Sequence, residues 1–432
     1  MKLVVISGGT ATNALVSLFT SLSLDNLAFV LPISDNGGST SELLRVIGGP
    51  AIGDIRSRIT RLIESSSPAS QQHLHKLFSY RLPDDDFTAK DEWARIVDGS
   101  HSVWMGMPSQ TKQLIRPFFI EINSELLKRL RPGREFRFER ANVGNLFLSG
   151  ARIFCGSLDS SIELMLRLAM IPNSIEVLPV MNTNFTHHIS ALLKNGDVIT
   201  GQSQISHPSV DAHVGTQDSC APTPDESGRP SDSEDAQLPF THPALMSSQI
   251  HFSKMDMSPM AAPIDRIFYI NPYGHEIHPS ASPRVIDSIG SASAVVFSIG
   301  SLYTSTIPVI LLKGVAQALA SDKIKKIFIL NGNADRETEG MTARDYVDAI
   351  ISACEYSRGY APSAGSSPQY ISHLIYLDPS PEPQLEPDLD EMARYGIECI
   401  GVSPQIDHLN RYDEQSLKNA IESILNSPSH TA

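Results

Sequence analysis

Lys2-Leu3-Val4-Val5-Ile6-Ser7-Gly8-Gly9-Thr10-Ala11-Thr12-Asn13 is the stretch on which the fold turns. A short, β-branched apolar run meets a glycine pair, and Asn13 to Leu22 then repeats apolar residues at helical spacing (Leu15, Leu18, Phe19, Leu22). That is strand, tight turn, helix. The next apolar run, Leu27 to Ile33, ends at Ser34-Asp35-Asn36-Gly37-Gly38-Ser39. Continuous apolar strands alternating with helices predict a parallel sheet covered on both faces.

Moving outward, Ile55 to Ile63 reads as an arginine-rich helix, and 71–140 as a mostly helical insertion or cap broken by Pro83 and Asp84-Asp85-Asp86. Leu146 to Cys155 and Ser160 to Ala169 read as buried helices, and Ile175 to Val180 as a strand. Ile189 to Leu193 and Val198 to Gln202 flank Lys194-Asn195-Gly196-Asp197, a hairpin signal because Asn and Gly tolerate positive φ. Residues 206–262 are dominated by Ser, Pro, Asp, Thr and His, too polar to offset ordering entropy, and are expected to be a disordered insertion. Strands resume at Arg266 to Ile270, Ala294 to Ile299, Lys326 to Leu330, His373 to Leu377 and Gly396 to Val402. Helices are expected at Ile307 to Leu319, Thr342 to Cys354 and Asp413 to Leu425. The predicted fold class is α/β, a Rossmann-like, doubly wound, mainly parallel sheet with a helical insertion and a disordered loop.

Composition limits what this fold serves. Among 432 residues, 48 acidic against 34 basic side chains give a net charge of −14, which argues against general nucleic-acid binding. It leaves room for a small phosphate ligand held by backbone N–H groups and a few arginines. Cys155, Cys220, Cys354 and Cys399 form no C-x-x-C pair, so neither a zinc site nor a disulfide framework is expected. The first apolar run breaks at Ser7-Gly8-Gly9, short of the ~7–15 residues of a signal-peptide core. No stretch approaches the ~18 apolar residues of a membrane span, and a cytoplasmic location is the expectation.

Ligands of open parallel sheets sit beyond the carboxyl ends of the strands, and four polar clusters fall there. Gly8, Gly9, Thr10 and Asn13 let backbone N–H groups approach an anion, though the turn also suits a plain strand–helix connection. Asp35 stands before Asn36, Gly37, Gly38 and Ser39, a carboxylate among small donors suited to a phosphate-bound Mg²⁺ or a hydroxyl nucleophile. Asp54 and Arg56 follow Gly48-Gly49-Pro50-Ala51-Ile52-Gly53, where Asp54 also suits a helix cap. Arg56 and Arg58 suit either a place beside an anion or an exposed helix face of no specific role. Gly300, Ser301, Tyr303, Thr304 and Ser305 form a hydroxyl-rich loop between strand and helix, with Asn331 at the next strand end. Glu337-Thr338 near that edge also suits an exposed acid. His73 with His75, and His187 with His188, lack the spacing of a metal site.

Together these motifs resemble the CofD-like family, which contains 2-phospho-L-lactate transferase and the YvcK-type gluconeogenesis factors. The family's G-G-G-T-G is similar to Ser7-Gly8-Gly9-Thr10-Ala11, and its S-D-[DN]-G-G-S-[ST] to Ser34 through Thr40. Its P-x-G-D-x-R matches Pro50, Gly53, Asp54 and Arg56, and its G-N pair Gly144-Asn145. Its G-S-L-Y-T-S is identical at Gly300 to Ser305, and its later N…E-T resembles Asn331 with Glu337-Thr338. The resemblance runs in order from about residue 3 to 402 and implies one CofD-like domain over 1–432. It implies a GDP- or UDP-linked ligand at the motif loops, with Asn145 among the contacts. In the transferase branch it implies passage of a phospho-acid from a nucleotide donor to an acceptor hydroxyl, with Mg²⁺ and Asp35 as the metal or hydroxyl-orienting carboxylate. In the YvcK branch it implies a regulator that binds a nucleotide sugar such as UDP-GlcNAc without turnover. A homo-oligomer is compatible with either branch. The chain departs from the pattern at Ala11, Ser298-Ile299 and Arg336, all placed along the expected pocket.

Overall fold

The computed structural model describes residues 1–9, 11–66, 71–130, 135–206, 242, 245, 259–359 and 369–427. Thr10 and most of the polar insertion lie outside the described residues.

β1 (Lys2–Ile6) forms where predicted, with Leu3 through Ile6 fully buried because the sheet is covered on both faces. It pairs in parallel with β2 (Asn26–Leu31), and β2 pairs in parallel with β3 (Ile175–Pro179). The chain then leaves the sheet for β4 (His188–Leu193), β5 (Val198–Thr200), β6 (Ile264–Ile270) and β7 (Glu276–Ile277). These build a separate antiparallel sheet in the order β5-β4-β6-β7. It returns as β8 (Ala294–Phe297) on the free side of β1 and continues outward through β9 (Lys325–Ile329), β10 (His373–Leu377) and β11 (Glu398–Val402). The seven-stranded order is β11-β10-β9-β8-β1-β2-β3, and every pairing in it is parallel. Winding starts at β1, goes one way to β3 and the other way from β8. The topological switch point therefore lies between β1 and β8.

The connection between β2 and β3 carries the expected helices, Gly38–Val46, Gly53–Ser66, Gln72–Ser79, Asp86–Asp98, Ser109–Lys128, Val143–Cys155 and Leu158–Leu168. Gly150 lets two of them cross closely: a Cβ there would lie 2.0 Å from the Phe118 carbonyl oxygen.

Three expectations change. Gln202, expected to end a strand, starts the short helix Gln202–Ser206. Ser206 thus belongs to the ordered fold and not to the polar insertion. At the far end, Leu245 is buried with Phe268 and Ile270, and Met260 and Ala262 pack on the main core. The helix expected over Ile307 to Leu319 divides into Ile307–Ile310 and Val315–Leu319, because Gly314 at φ 98° interrupts it. Among the described residues no helix is long and apolar enough to cross a membrane.

Candidate functional site at the switch point

All four clusters converge through close approaches that only glycine permits. A Cβ on Gly8 would stand 2.2 Å from Ser305 Oγ, so the β1 turn and the β8 loop touch across the switch point. A Cβ on Gly9 would stand 2.1 Å from Asp54 Oδ1, and the Gly9 N–H donates to the Asp54 carboxylate. Gly53 brings the second cluster in: its Cβ position lies 2.8 Å from Thr40 Oγ1 and 4.0 Å from Asp35 Oδ2.

Asp35 and Asp54 are the electrostatic centre. The Gly37 N–H donates to Asp35 Oδ1 at 2.9 Å, which leaves Oδ2 available. Burial pushes the Asp35 carboxyl above its ordinary range against the pull of that hydrogen bond. Asp54 rises to about 7, first through burial and then through repulsion from Asp35, with Arg58, Arg56 and the Gly9 N–H pulling the other way. Two carboxylates held close enough to repel could share a proton or hold a cation.

Asn145 links the second and third clusters. It sits 1% exposed in the first turn of Val143–Cys155, a helix capped by the Asn142 side chain. Asn145 Nδ2 donates to Ser39 Oγ at 3.1 Å, and Arg56 Nε donates to Asn145 Oδ1 at 3.2 Å. Burial brings the Arg56 guanidinium down to about 10. Asn13 Nδ2 donates to Ser57 Oγ at 2.6 Å, which ties the β1 turn to the helix Gly53–Ser66.

The Gly300–Ser305 loop divides its residues between two sides. Ser305 meets Gly8, whereas Tyr303 lines a different cavity of about 1090 Å³ between β6 and the helix Ala343–Ser357. Thr304 is 1% exposed, and its hydroxyl donates to Glu337 Oε1 at 2.6 Å. Asn331 clamps the loop's backbone: Gly300 N–H donates to its Oδ1, and its Nδ2 donates to the Gly300 carbonyl, each at 2.9 Å. Gly300 itself stands at φ 140°, where an L side chain is strained. Leu302–Thr306 forms a π turn, an unstable geometry that recurs at functional sites.

Glu337 is buried rather than an exposed acid, 4% accessible, and its carboxylate also receives the Ser206 hydroxyl at 2.5 Å. Ser203 N–H donates to Asn36 Oδ1 at 3.0 Å, and Arg336 Nη1 donates to the Gln204 carbonyl at 3.1 Å. The helix Gln202–Ser206 thus bridges the loop after β2 and the loops after β8 and β9. Sequence reading missed this helix, because a five-residue segment with a single apolar side chain, Ile205, carries no periodicity. Of the two readings of Arg58, an anion neighbour or an exposed helix face, the exposed face is ruled out: Arg58 is 0% exposed.

With this geometry in view, comparison with known proteins decides the family. The profile described as 2-phospho-L-lactate transferase CofD matches residues 3–402. The chain belongs to the CofD family. An uncharacterised protein of Saccharomyces cerevisiae is 42% identical to this CofD-family chain, over 98% of it and 99% of the yeast protein. A protein of Aquifex aeolicus that bears a provisional gluconeogenesis-factor name is 21% identical over 98% and 97% of the two chains. The crystal structure of a UPF0052-family protein from Bacillus halodurans superposes with a TM-score of 0.60 at 17% identity, covering 97% of this chain and 99% of that one. That likeness establishes the shared fold.

Proposed function

We propose that this CofD-family protein binds the diphosphate of a nucleotide-linked ligand, GDP- or UDP-type, in the crevice between the ends of β1 and β8. The observation that carries the reading is the contact of Gly8-Gly9 with Ser305 and Asp54 at the switch point, beside a second carboxylate on Asp35. Glycine N–H groups and serine hydroxyls at such a position supply donors for phosphate oxygens.

The chemistry is transfer of a phospho-acid group of the 2-phospho-L-lactate type. An acceptor hydroxyl attacks the phosphorus distal to the nucleoside, the bridging P–O bond breaks, and a nucleoside monophosphate leaves. Asp35 orients the hydroxyl and takes its proton on Oδ2, the oxygen that Gly37 does not occupy. The donor set suits Mg²⁺, which often takes one or two carboxylates and completes its shell with phosphate oxygens and water. Asp35 with Asp54 would hold it, and it would neutralise the diphosphate charge. Buried Arg58 and half-buried Arg56, both near Asp54, add positive charge to the same recess.

A second reading has one finding behind it, the gluconeogenesis-factor names of several bacterial relatives. In it the same crevice binds a nucleotide sugar such as UDP-GlcNAc as a signal, with no turnover. A thermal-shift panel of GDP, UDP and UDP-GlcNAc, with and without Mg²⁺, tests binding. Ligand at 100 times its dissociation constant adds about 2.7 kcal/mol of stability. No shift with any nucleotide overturns both readings. Release of a nucleoside monophosphate from a phospho-acid donor then separates transferase from sensor.

A further inference from the structure

Arg58 lies on the helix Gly53–Ser66, where Ile55, Ile59, Leu62 and Ile63 are all fully buried. Positions 55, 58 and 62 share one helical face, so Arg58 points into the core with them. Its guanidinium carbon sits 4.6 Å from the Phe29 ring centroid on β2. Nη2 donates to the Gly8 carbonyl at 2.9 Å and to Ser7 Oγ at 3.2 Å. Nε and Nη1 are buried with no hydrogen-bond partner. A buried cation with unpaired donors is costly, and an apolar residue of similar volume would serve a core better. The buried Asp54 carboxylate attracts this charge, but no hydrogen bond joins the two, so the core alone gives no reason for a guanidinium in this place.

The contacts give one. Arg58 grips the carbonyl of Gly8 from behind, in the turn whose next residue, Gly9, donates its N–H to Asp54. A trans peptide whose carbonyl is held inward turns its own N–H the opposite way, here onto the Asp54 carboxylate. We infer that Arg58 is the positioning residue of the β1 phosphate turn, acting through the Gly8 carbonyl to lock the Gly8–Gly9 peptide against Asp54 at the floor of the diphosphate site and placing a fixed positive charge beneath it. The inference rests on the diphosphate reading above.

The test compares wild-type protein with Arg58→Met and Arg58→Lys. Dissociation constants for UDP and GDP are measured with Mg²⁺ present, together with thermal midpoints and hydrogen exchange of the segment 6–13 in ligand-free protein. For Arg58→Met we expect at most a small drop in midpoint, because the Gly8 carbonyl loses its donor as a buried charge is removed, with exchange accelerated in 6–13 alone and nucleotide affinity weakened about tenfold or more, the worth of one hydrogen bond to a charged group. Arg58→Lys is expected to recover part of the affinity. Wild-type affinity and exchange in Arg58→Met overturn the inference, as does a lowered midpoint with exchange raised throughout, which marks a purely structural role. If wild-type protein binds neither nucleotide, the diphosphate reading fails. The local exchange of 6–13 then decides whether Arg58 positions the turn.

Discussion

Gly8 and Ser305 touch across the switch point, with the site of a Gly8 Cβ 2.2 Å from Ser305 Oγ and 2.6 Å from Ser305 Cβ. Rotating the serine hydroxyl away does not clear the second contact, so either loop must move. Overpacking of this kind costs about 1–3 kcal/mol. We expect Gly8→Ala to lower the thermal midpoint and to weaken nucleotide binding by opening the crevice. Adding Ser305→Gly removes both clashing atoms and is expected to restore most of the stability, read as a double-mutant cycle by denaturant unfolding. Strictly additive effects would mean that the two residues do not touch.

Asn331 holds Gly300 by both ends of its amide, and that pairing predicts a graded series. Asn331→Ala leaves a part-buried N–H and C=O without partners, at about 1–3 kcal/mol. Asn331→Asp keeps the acceptor for Gly300 N–H but sets a carboxylate against the Gly300 carbonyl. We expect both to destabilise and to weaken ligand binding indirectly, because the amide that would touch a ligand is already engaged. Unchanged stability in Asn331→Ala, measured by urea unfolding, would contradict the clamp.

Much of this arrangement was legible in the sequence, and the illegible part has a physical pattern. β1 shows itself because a β-branched run striking Gly8-Gly9 has one good local solution. The Gly300–Ser305 loop shows itself because hydroxyls cluster between a buried strand and a helix. The side each residue faces is not local information: Tyr303 and Ser305 are two positions apart yet line different spaces. β6 reads as a strand in sequence, but its pairing with β4 depends on residues more than 70 positions earlier. Arg58 reads either as an anion's neighbour or as surface, because arginine usually is surface, although the spacing 55, 58, 62 places it on the buried stripe.

Glu337 predicts a pH dependence of stability. Burial and then the nearby Asp335 raise its carboxyl from the ordinary 4.5 to about 7, despite hydrogen bonds from Ser206 and Thr304. The folded protein therefore holds this proton more tightly than the unfolded chain. Its contribution is fully present below about pH 4.5 and is lost as pH rises through 7, by roughly 3 kcal/mol. Glu337→Gln carries no such titration and still offers an acceptor to Thr304. We expect wild type to lose stability relative to the variant between pH 4.5 and 7. A constant difference across that range, measured by chemical denaturation, would refute the assignment.

Asp35→Asn separates architecture from chemistry. The neutral amide abolishes repulsion with Asp54, so the Asp54 carboxyl is expected to fall from about 7 and the fold to be as stable as wild type or more so. Under the transferase reading, turnover falls by about 10²–10⁴, the usual contribution of a positioned acid–base group. The Mg²⁺-dependent part of the ligand-induced thermal shift falls with it, because one of two carboxylates for the cation is gone. Full activity in Asp35→Asn would remove Asp35 from the chemistry. Absence of product from wild-type protein, with the Mg²⁺-dependent shift present in wild type and lost in the variant, would point to the nucleotide-sugar sensor, with Asp35 acting only through the cation.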